Sequence, residues 1–343
     1  NSQASPAGNT PLLAPQRLRN KHGLPNLFLK NDSLNPSGSL KDRASMLVAE
    51  QAKLAGAGSV VLASTGNAGS AMACAGAAYG LDVILFVPAA APKAKLIQSI
   101  LYGAKVVPIQ GSYDRAFTLS IEYTEAFGGV NRNTAYNPFT VEGKKTAAIE
   151  IYNQLGGAAP DIVYVPTGDG AIYSGVWKGF ADLLMAGAIE IMPKLVMVQA
   201  KGSNALFRSF RDGVETLLTD TNTYADSIAV KSPAAGELAL RAVKETGGTV
   251  IEVSDQEIQT AQRELCSEAG VFVEPSSAAG WAGCVKNAKS VEASLKITVL
   301  LTGSGFKDIE AAERLTSLPE SCPPDLDSAS SYLERMYRVS PPA

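Results

Sequence analysis

Five short segments of this chain carry residues able to do chemistry, and each follows an apolar run. The first is Asn31-Asp32-Ser33-Leu34-Asn35-Pro36-Ser37-Gly38-Ser39-Leu40-Lys41-Asp42-Arg43, a turn-rich loop. Ser39 is placed to cap a helix beginning near Leu40, which puts Lys41 in the first helical turn. There the macrodipole disfavours a cation, so the amine has reason to be partly neutral, as a Schiff-base nucleophile must be. A solvated surface group is the ordinary reading of any single lysine; the flanking Pro-Ser-Gly-Ser-x-Lys-Asp-Arg pattern reverses it here.

The second segment, Ala63-Ser64-Thr65-Gly66-Asn67-Ala68-Gly69, opens a helix. Two hydroxyls, an amide and free backbone N–H groups converge there, a cradle suited to a carboxylate. The third is Pro166-Thr167-Gly168-Asp169-Gly170-Ala171-Ile172-Tyr173-Ser174-Gly175. Its glycines let backbone N–H groups approach a phosphate, and the helix that follows favours the charge. The spacing Gly-x-Gly-x-x-x-x-Gly is not the dinucleotide fingerprint, which rejects a nicotinamide dehydrogenase. Gly143-Lys144-Lys145-Thr146 is no P-loop either, because Pro138 stands where the first glycine should be. The fourth segment is Glu274-Pro275-Ser276-Ser277-Ala278-Ala279 and the fifth Leu301-Thr302-Gly303-Ser304-Gly305. Thr302 could offer its hydroxyl to a heterocyclic nitrogen; taken alone, it reads equally well as a structural turn.

The elements that must position these segments are legible as alternation. Strands are predicted at Asn26–Lys30, Ser59–Ala63, Asp82–Val87, Lys105–Ile109, Asp161–Val165, Lys194–Gln199, Thr249–Val253 and Lys296–Leu301. Most are short continuous hydrophobic runs, as in parallel strands covered on both faces. Helices are predicted between them, at Asp42–Leu54, Ala68–Tyr79, Pro92–Tyr102, Ser112–Ala126, Gly143–Gln154, Ile172–Ala186, Asp255–Glu268 and Ser276–Lys286. The fold class is therefore α/β, with doubly wound sheets carrying helices on both faces, and ligands in such sheets bind beyond the carboxyl ends of the strands. Asn131–Thr140 reads as a polar, irregular divider. The tail beyond Leu318 reads as an appendage ending in a short helix that Asp327 could cap.

Composition bounds the rest. The 343 residues suggest two domains, with 46% hydrophobic and 18% charged residues. A net charge of −3 leaves no footprint for nucleic acid, and no apolar run approaches the roughly 18 residues of a membrane span. The polar opening Asn1–Thr10 lacks the pattern of a signal peptide. Cys74, Cys266, Cys284 and Cys322 are scattered with no CxxC pair, which reads as reduced thiols in a cytoplasmic protein, with neither disulfide framework nor zinc site. His22 is the only histidine, so multi-histidine metal sites are out.

Taken in order, the segments resemble the fold-type-II pyridoxal-phosphate enzymes over nearly the whole chain, and threonine synthases most of all. The likeness lies in Asn-Pro-Ser-Gly-Ser-Leu-Lys-Asp-Arg (35–43), Ser-Thr-Gly-Asn-Ala-Gly (64–69), Glu-Gly-Lys-Lys-Thr (142–146), Glu-Pro-Ser-Ser-Ala-Ala (274–279) and Leu-Thr-Gly-Ser-Gly-Phe-Lys-Asp (301–308). The resemblance implies pyridoxal 5'-phosphate as cofactor and Lys41 as the Schiff-base lysine. It implies Asn67 as the partner of the cofactor's ring hydroxyl, Gly168, Asp169, Gly170, Ala171 and Ile172 as its phosphate cup, and Thr302 as the partner of its pyridine nitrogen. Ser64, Thr65 and Ala68 would hold the substrate carboxylate, with Thr140 and Lys144 also on the substrate side. It further implies a large domain of residues 1–38 and 142–343, a smaller mobile one of 39–141, and a homodimer acting on a small amino-acid substrate.

Two residues depart from the threonine-synthase pattern. Thr140 stands where the family has an arginine that grips the substrate phosphate, and a threonine cannot give that bidentate, charge-assisted contact. Asp169 stands in the cup where the family often has asparagine, and a carboxylate there requires a cation to face. The expected reaction is O-phospho-L-homoserine plus water to L-threonine plus phosphate. The alternatives are a β-replacing or β-eliminating relative, such as a cysteate-synthase-like enzyme on O-phosphoserine or a threonine/serine dehydratase, and a non-catalytic sensor. Lys41 argues against the sensor, since a binding module has no need of a lysine at a helix start.

Overall fold

The computed structural model describes residues 6–215 and 217–339, so the first five residues of the polar opening lie outside it. From the N-terminus come β1 (Leu12–Leu13), α1 (Gln16–His22), β2 (Leu27–Asn31) and α2 (Lys41–Leu54). There follow β3 (Ser59–Ala63), α3 (Asn67–Tyr79), β4 (Asp82–Pro88), α4 (Lys93–Leu101), β5 (Lys105–Ile109), α5 (Tyr113–Phe127) and β6 (Val130–Asn131). Next are α6 (Phe139–Gln154), β7 (Ile162–Pro166), α7 (Ala171–Met185), β8 (Lys194–Ala200), α8 (Ala205–Asp212) and α9 (Gly236–Glu245). The chain closes with β9 (Thr249–Val253), α10 (Asp255–Ala269), α11 (Pro275–Asn287), β10 (Ile297–Leu301), α12 (Ile309–Glu313) and α13 (Leu326–Tyr337).

The strands form two sheets, one ordered β1-β2-β10-β7-β8-β9 and the other β5-β4-β3-β6. Apart from the antiparallel β1–β2 pair, the described ladders are parallel. Alternate residues of each strand feed opposite faces. Along β7, Val163 and Val165 enter one core with Val176 and Phe180 of α7, while Tyr164 enters another with Trp281 of α11. The smaller sheet does the same. Leu62 and Leu85 pack with Met46 of α2 and Met72 of α3, and Val61 and Phe86 with Ala116 of α5. The two doubly wound sheets read from the sequence are the fold found, with the eight predicted strands in place to within one residue at each end.

Local chemistry sets the helix ends. Ser254 and Glu257 form a reciprocal capping box at the start of α10, and Pro275 occupies the first turn of α11. Several predicted boundaries are corrected. Ser39 does not cap α2: Leu40 holds that position, and the Ser39 hydroxyl is buried without a partner. Its backbone is instead drawn into an antiparallel bridge with Gly303. Helix α6 starts at Phe139, so Thr140 lies in its first turn rather than in a divider. Asp325, not Asp327, caps α13, accepting the Ser328 N–H at 2.8 Å. The short helices α1, α8, α9 and α12 and the two-residue strands β1 and β6 had no counterpart in the sequence reading. Among the described residues, no helix is long and apolar enough to cross a membrane.

Candidate active site

Strands β2, β10 and β7 are neighbours, so the loops leaving their carboxyl ends converge at one edge of the larger sheet. The Lys41 loop and the Thr302 loop are joined by the Ser39–Gly303 bridge and by a hydrogen bond from Leu40 N–H to the Thr302 carbonyl at 2.9 Å. Lys307 adds a buried tie. Its ammonium donates to the Ser37 carbonyl at 3.2 Å, to Ser70 Oγ on α3 at 2.8 Å and to Gln98 Oε1 on α4 at 2.5 Å.

The result is a cleft lined by Lys41, Asn67, Gly168, Asp169, Ile172 and Thr302, together with Ser227 and Glu274. It encloses about 490 Å³ of space free of protein atoms, part of it open solvent. Gly170 and Ala171 complete the turn that closes it at the start of α7. Gly170 has φ +91°, and a Cβ there would lie 2.7 Å from the Ala235 carbonyl, so glycine is required on both counts. Ser64, Thr65, Ala68, Thr140 and Lys144 do not line this cleft. Ser64 Oγ accepts the N–H groups of Gly66 (3.2 Å) and Gly69 (3.0 Å), closing the turn that leads into α3.

Three local arrangements decide what the cleft can do. The Lys41 amine makes no hydrogen bond to another described residue, and neither does the Thr302 hydroxyl; the Thr302 N–H is held by Ser277 Oγ at 2.9 Å. Asn67 donates its side-chain amide to both oxygens of Glu274, at 3.0 and 3.1 Å, and Ser227 donates to the same carboxylate at 3.1 Å. Burial pushes the Glu274 carboxyl up, with Asn67 and Ser227 opposing it. Asp169 accepts the Ala171 N–H at 2.9 Å. Burial would raise its carboxyl, but Lys41, Lys144, that N–H and Arg132 hold it below the ordinary range. The cation that a carboxylate at position 169 requires is therefore present three times over.

Sequence reasoning missed Ser227, which comes from the aperiodic stretch before α9, and the engagement of Glu274 with Asn67, because both arise only from tertiary approach. It missed Arg132 as well. The residue directly follows β6, a strand of two residues too short to be read from the sequence.

A glycine-lined turn at a helix N-terminus, an unpaired amine and an unpaired hydroxyl in one cleft of an α/β fold fit a phosphorylated pyridine aldehyde. This is the class of enzyme that the fold and the site define. The model of the pyridoxal-phosphate dependent enzyme family matches residues 4–303. The threonine synthase of Methanocaldococcus jannaschii is 33% identical over 334 residues, covering 96% of this chain and 82% of the relative. That of Synechocystis sp. is 36% identical over 307 residues, covering 89% and 78%. Among solved structures, the processed form of threonine deaminase isoform 2 from Solanum lycopersicum has a TM-score of 0.78 at 23% identity, covering 90% of this chain and 84% of that one. Maize serine racemase has a TM-score of 0.76 at 24% identity, covering 87% and 88%. The chain belongs to the pyridoxal-phosphate dependent enzymes, and pyridoxal 5'-phosphate is its cofactor.

Proposed function

We propose that this enzyme is a threonine synthase, converting O-phospho-L-homoserine and water to L-threonine and phosphate. The observation that carries the reading is the free Lys41 amine in one cleft with the Gly168–Ile172 turn and Thr302, in a chain whose relatives include threonine synthases. In this reading Lys41 would hold the cofactor's aldehyde, and its amine would move the protons at the substrate's α and β carbons. The turn Gly168, Asp169, Gly170, Ala171 and Ile172 would hold the cofactor's phosphate at the start of α7 through its backbone N–H groups, that of Ala171 only on leaving the Asp169 carboxylate. The cofactor supplies an electron sink to the substrate's α-carbon. Thr302 serves the pyridine nitrogen as a neutral hydroxyl, which favours elimination over transamination. Asn67 would serve the ring hydroxyl, and Ser64, Thr65 and Ala68 would hold the substrate carboxylate.

Residues 39–141 act as the smaller, mobile domain in this reading; the separate cores of the two sheets support it. The same reading makes the enzyme a cytoplasmic homodimer, a state that light scattering after size-exclusion chromatography checks. A rival is favoured by one observation. The Thr140 hydroxyl donates to the Asn137 carbonyl at 2.7 Å, so its proton is not offered to a substrate phosphate, and a three-carbon substrate such as O-phosphoserine is the alternative. Phosphate, keto acid and threonine measured with O-phosphohomoserine, O-phosphoserine, threonine and serine separate the two. Threonine and phosphate from O-phosphohomoserine are expected; turnover of a three-carbon substrate alone would establish the rival.

A further inference from the structure

Two cations lie buried beside the cleft without a carboxylate bound to either. Arg132 is fully buried, and its hydrogen bonds among the described residues go to hydroxyls: Nε and Nη2 to Ser45 Oγ at 3.3 Å each, and Nη1 to Thr134 Oγ1 at 2.8 Å. Lys144 is equally buried, and among the described residues its ammonium donates only to the Thr140 carbonyl, at 2.6 Å. A guanidinium and an ammonium have donors left over after these contacts. Taking such ions out of water is expensive unless a counter-charge meets them, and the carboxylate that acts on both, Asp169, also faces Lys41. Burial lowers both groups, Arg132 to about 10 and Lys144 well below its ordinary value, with Lys41 and Arg132 adding to the effect on Lys144.

Neither lines the cleft; both stand behind it, next to the turn and helix read as the substrate side. Arg132 follows β6, its N–H bonded to the Val61 carbonyl of β3 at 2.8 Å. Asn133, the next residue, accepts the Ala63 N–H at 2.8 Å, at the foot of the Ser64–Asn67 turn. Ser45, which the guanidinium touches, lies one helical turn along α2 from Lys41. Lys144 follows Gly143, where α6 touches α2: a Cβ on Gly143 would meet the Arg43 carbonyl and would lie 2.6 Å from Ala44 Cα. On α7, a Cβ on Gly175 would lie 2.6 Å from Lys144 Cβ. The two cations are thus wedged between the lysine helix, the carboxylate turn and the helix of the glycine turn, Lys144 on α6 and Arg132 on the chain that leaves β6.

We propose that Arg132 and Lys144 form a receptor for a second anionic group on the amino-acid substrate, a phosphoryl ester, supplying the positive charge that Thr140 lacks. The inference rests on the reading of the chain as an enzyme of phosphorylated amino acids and names the residues that select that class. The γ-phosphate is held by the guanidinium and the ammonium together, while the α-carboxylate stays with the Ser64–Asn67 turn. Neither residue carries a proton in the reaction; both act on substrate choice.

The test uses the cofactor-loaded enzyme and two unreactive ligands, L-2-amino-5-phosphonopentanoate and L-norvaline, which differ in the terminal anion. Binding is followed through the visible absorbance of the bound cofactor, and cofactor retention after dialysis is recorded in parallel. The wild type should prefer the phosphonate. Arg132→Gln and Lys144→Gln should each cut that preference by roughly tenfold or more, the scale of one charge-assisted contact, with norvaline affinity and cofactor retention unchanged. Arg132→Lys should keep part of the preference, and it carries the test with Lys144→Gln if Arg132→Gln does not fold. No phosphonate preference in the wild type, or an undiminished preference in both glutamine variants, overturns the proposal. So does loss of cofactor in place of loss of preference, which would assign these cations to the cofactor's own phosphate. A phosphonate preference that depends on Arg132, in an enzyme that makes no threonine, sinks the proposed reaction and leaves the receptor standing. Threonine formation with KM for O-phosphohomoserine unmoved in these variants does the reverse.

Discussion

The backbone N–H of Leu40 donates to the Thr302 carbonyl at 2.9 Å, and this bond joins the residue before the lysine to the residue whose hydroxyl lines the same cleft. Leu40 is itself fully buried in the core of the larger sheet, whereas Met46 and Val48 of the same helix belong to the core of the smaller one. Lys41 therefore starts its helix on the border between the two cores, anchored next to itself by a main-chain bond to the residue that follows β10. Changes of side chain at Thr302 leave that anchor intact.

Lys41 is the residue whose loss should be felt most. The purified enzyme should be yellow, and borohydride should fix the cofactor to Lys41, as peptide mapping would report. Lys41→Ala should show no fixable label and should lose turnover by roughly a hundred- to ten-thousandfold, the usual contribution of a positioned acid–base group. A label on another lysine would relocate the site.

Arg43 should carry stability. It donates to Asp32 at 2.6 and 2.9 Å and to Glu150 at 2.7 and 2.8 Å, and Lys30 meets Glu150 at 2.6 Å. Asp32 and Arg43 are buried, so Arg43→Met strands a buried carboxylate, at a cost of about 3–5 kcal/mol. Urea denaturation should show that loss, and the double variant Arg43→Met/Asp32→Leu should recover much of it, because replacing both ions removes the stranded charge.

Asp42 makes stability depend on pH. Burial pushes its carboxyl up to about 6, against the Ser37 contacts and Lys307, which pull it down. The folded value is raised above the unfolded one, near 3.9. The contribution of protonated Asp42 is thus complete below about pH 4 and is lost as pH rises through about 6. Asp42→Asn should therefore gain on the wild type between about pH 4 and 8, by something on the order of 2 kcal/mol. Glu150 acts in a separate window. Burial raises its carboxyl, but Arg43 and Lys30 outweigh that and bring it to about 2, so its contribution is lost only as pH falls from about 4.5 toward 2. Denaturation midpoints of the two proteins that run parallel across pH 4–8 would contradict the assignment to Asp42.

The parallel strands were legible because burial on both faces leaves runs such as Ile162–Pro166 and Ile297–Leu301 almost wholly apolar. The loops that follow them were legible because their glycines and hydroxyls stand at strand–helix junctions. Helices α8 and α9 were not, since each is short, mixed in polarity and set in a long aperiodic stretch. The serine at position 39 looked like a cap because capping is a local property, yet a non-local bridge to Gly303 claimed its backbone. Thr140 illustrates the same limit on the functional side. Its departure from the arginine pattern was visible as a missing charge, but Arg132 reaches the site from another element and only the fold brings it there.

The glycine contacts that seat Lys144 also say where this enzyme could be remade. Helices α2, α6 and α7 meet at Gly143 and Gly175 with no room for a methyl group, so the ammonium sits on a frame that tolerates almost no enlargement. The guanidinium is carried by the chain between β6 and α6 instead. Adaptation to a longer or shorter substrate would therefore proceed by moving the arginine along residues 132–137 and leaving the lysine where it is. Substrate reach becomes a property of one adjustable arm set against one fixed post.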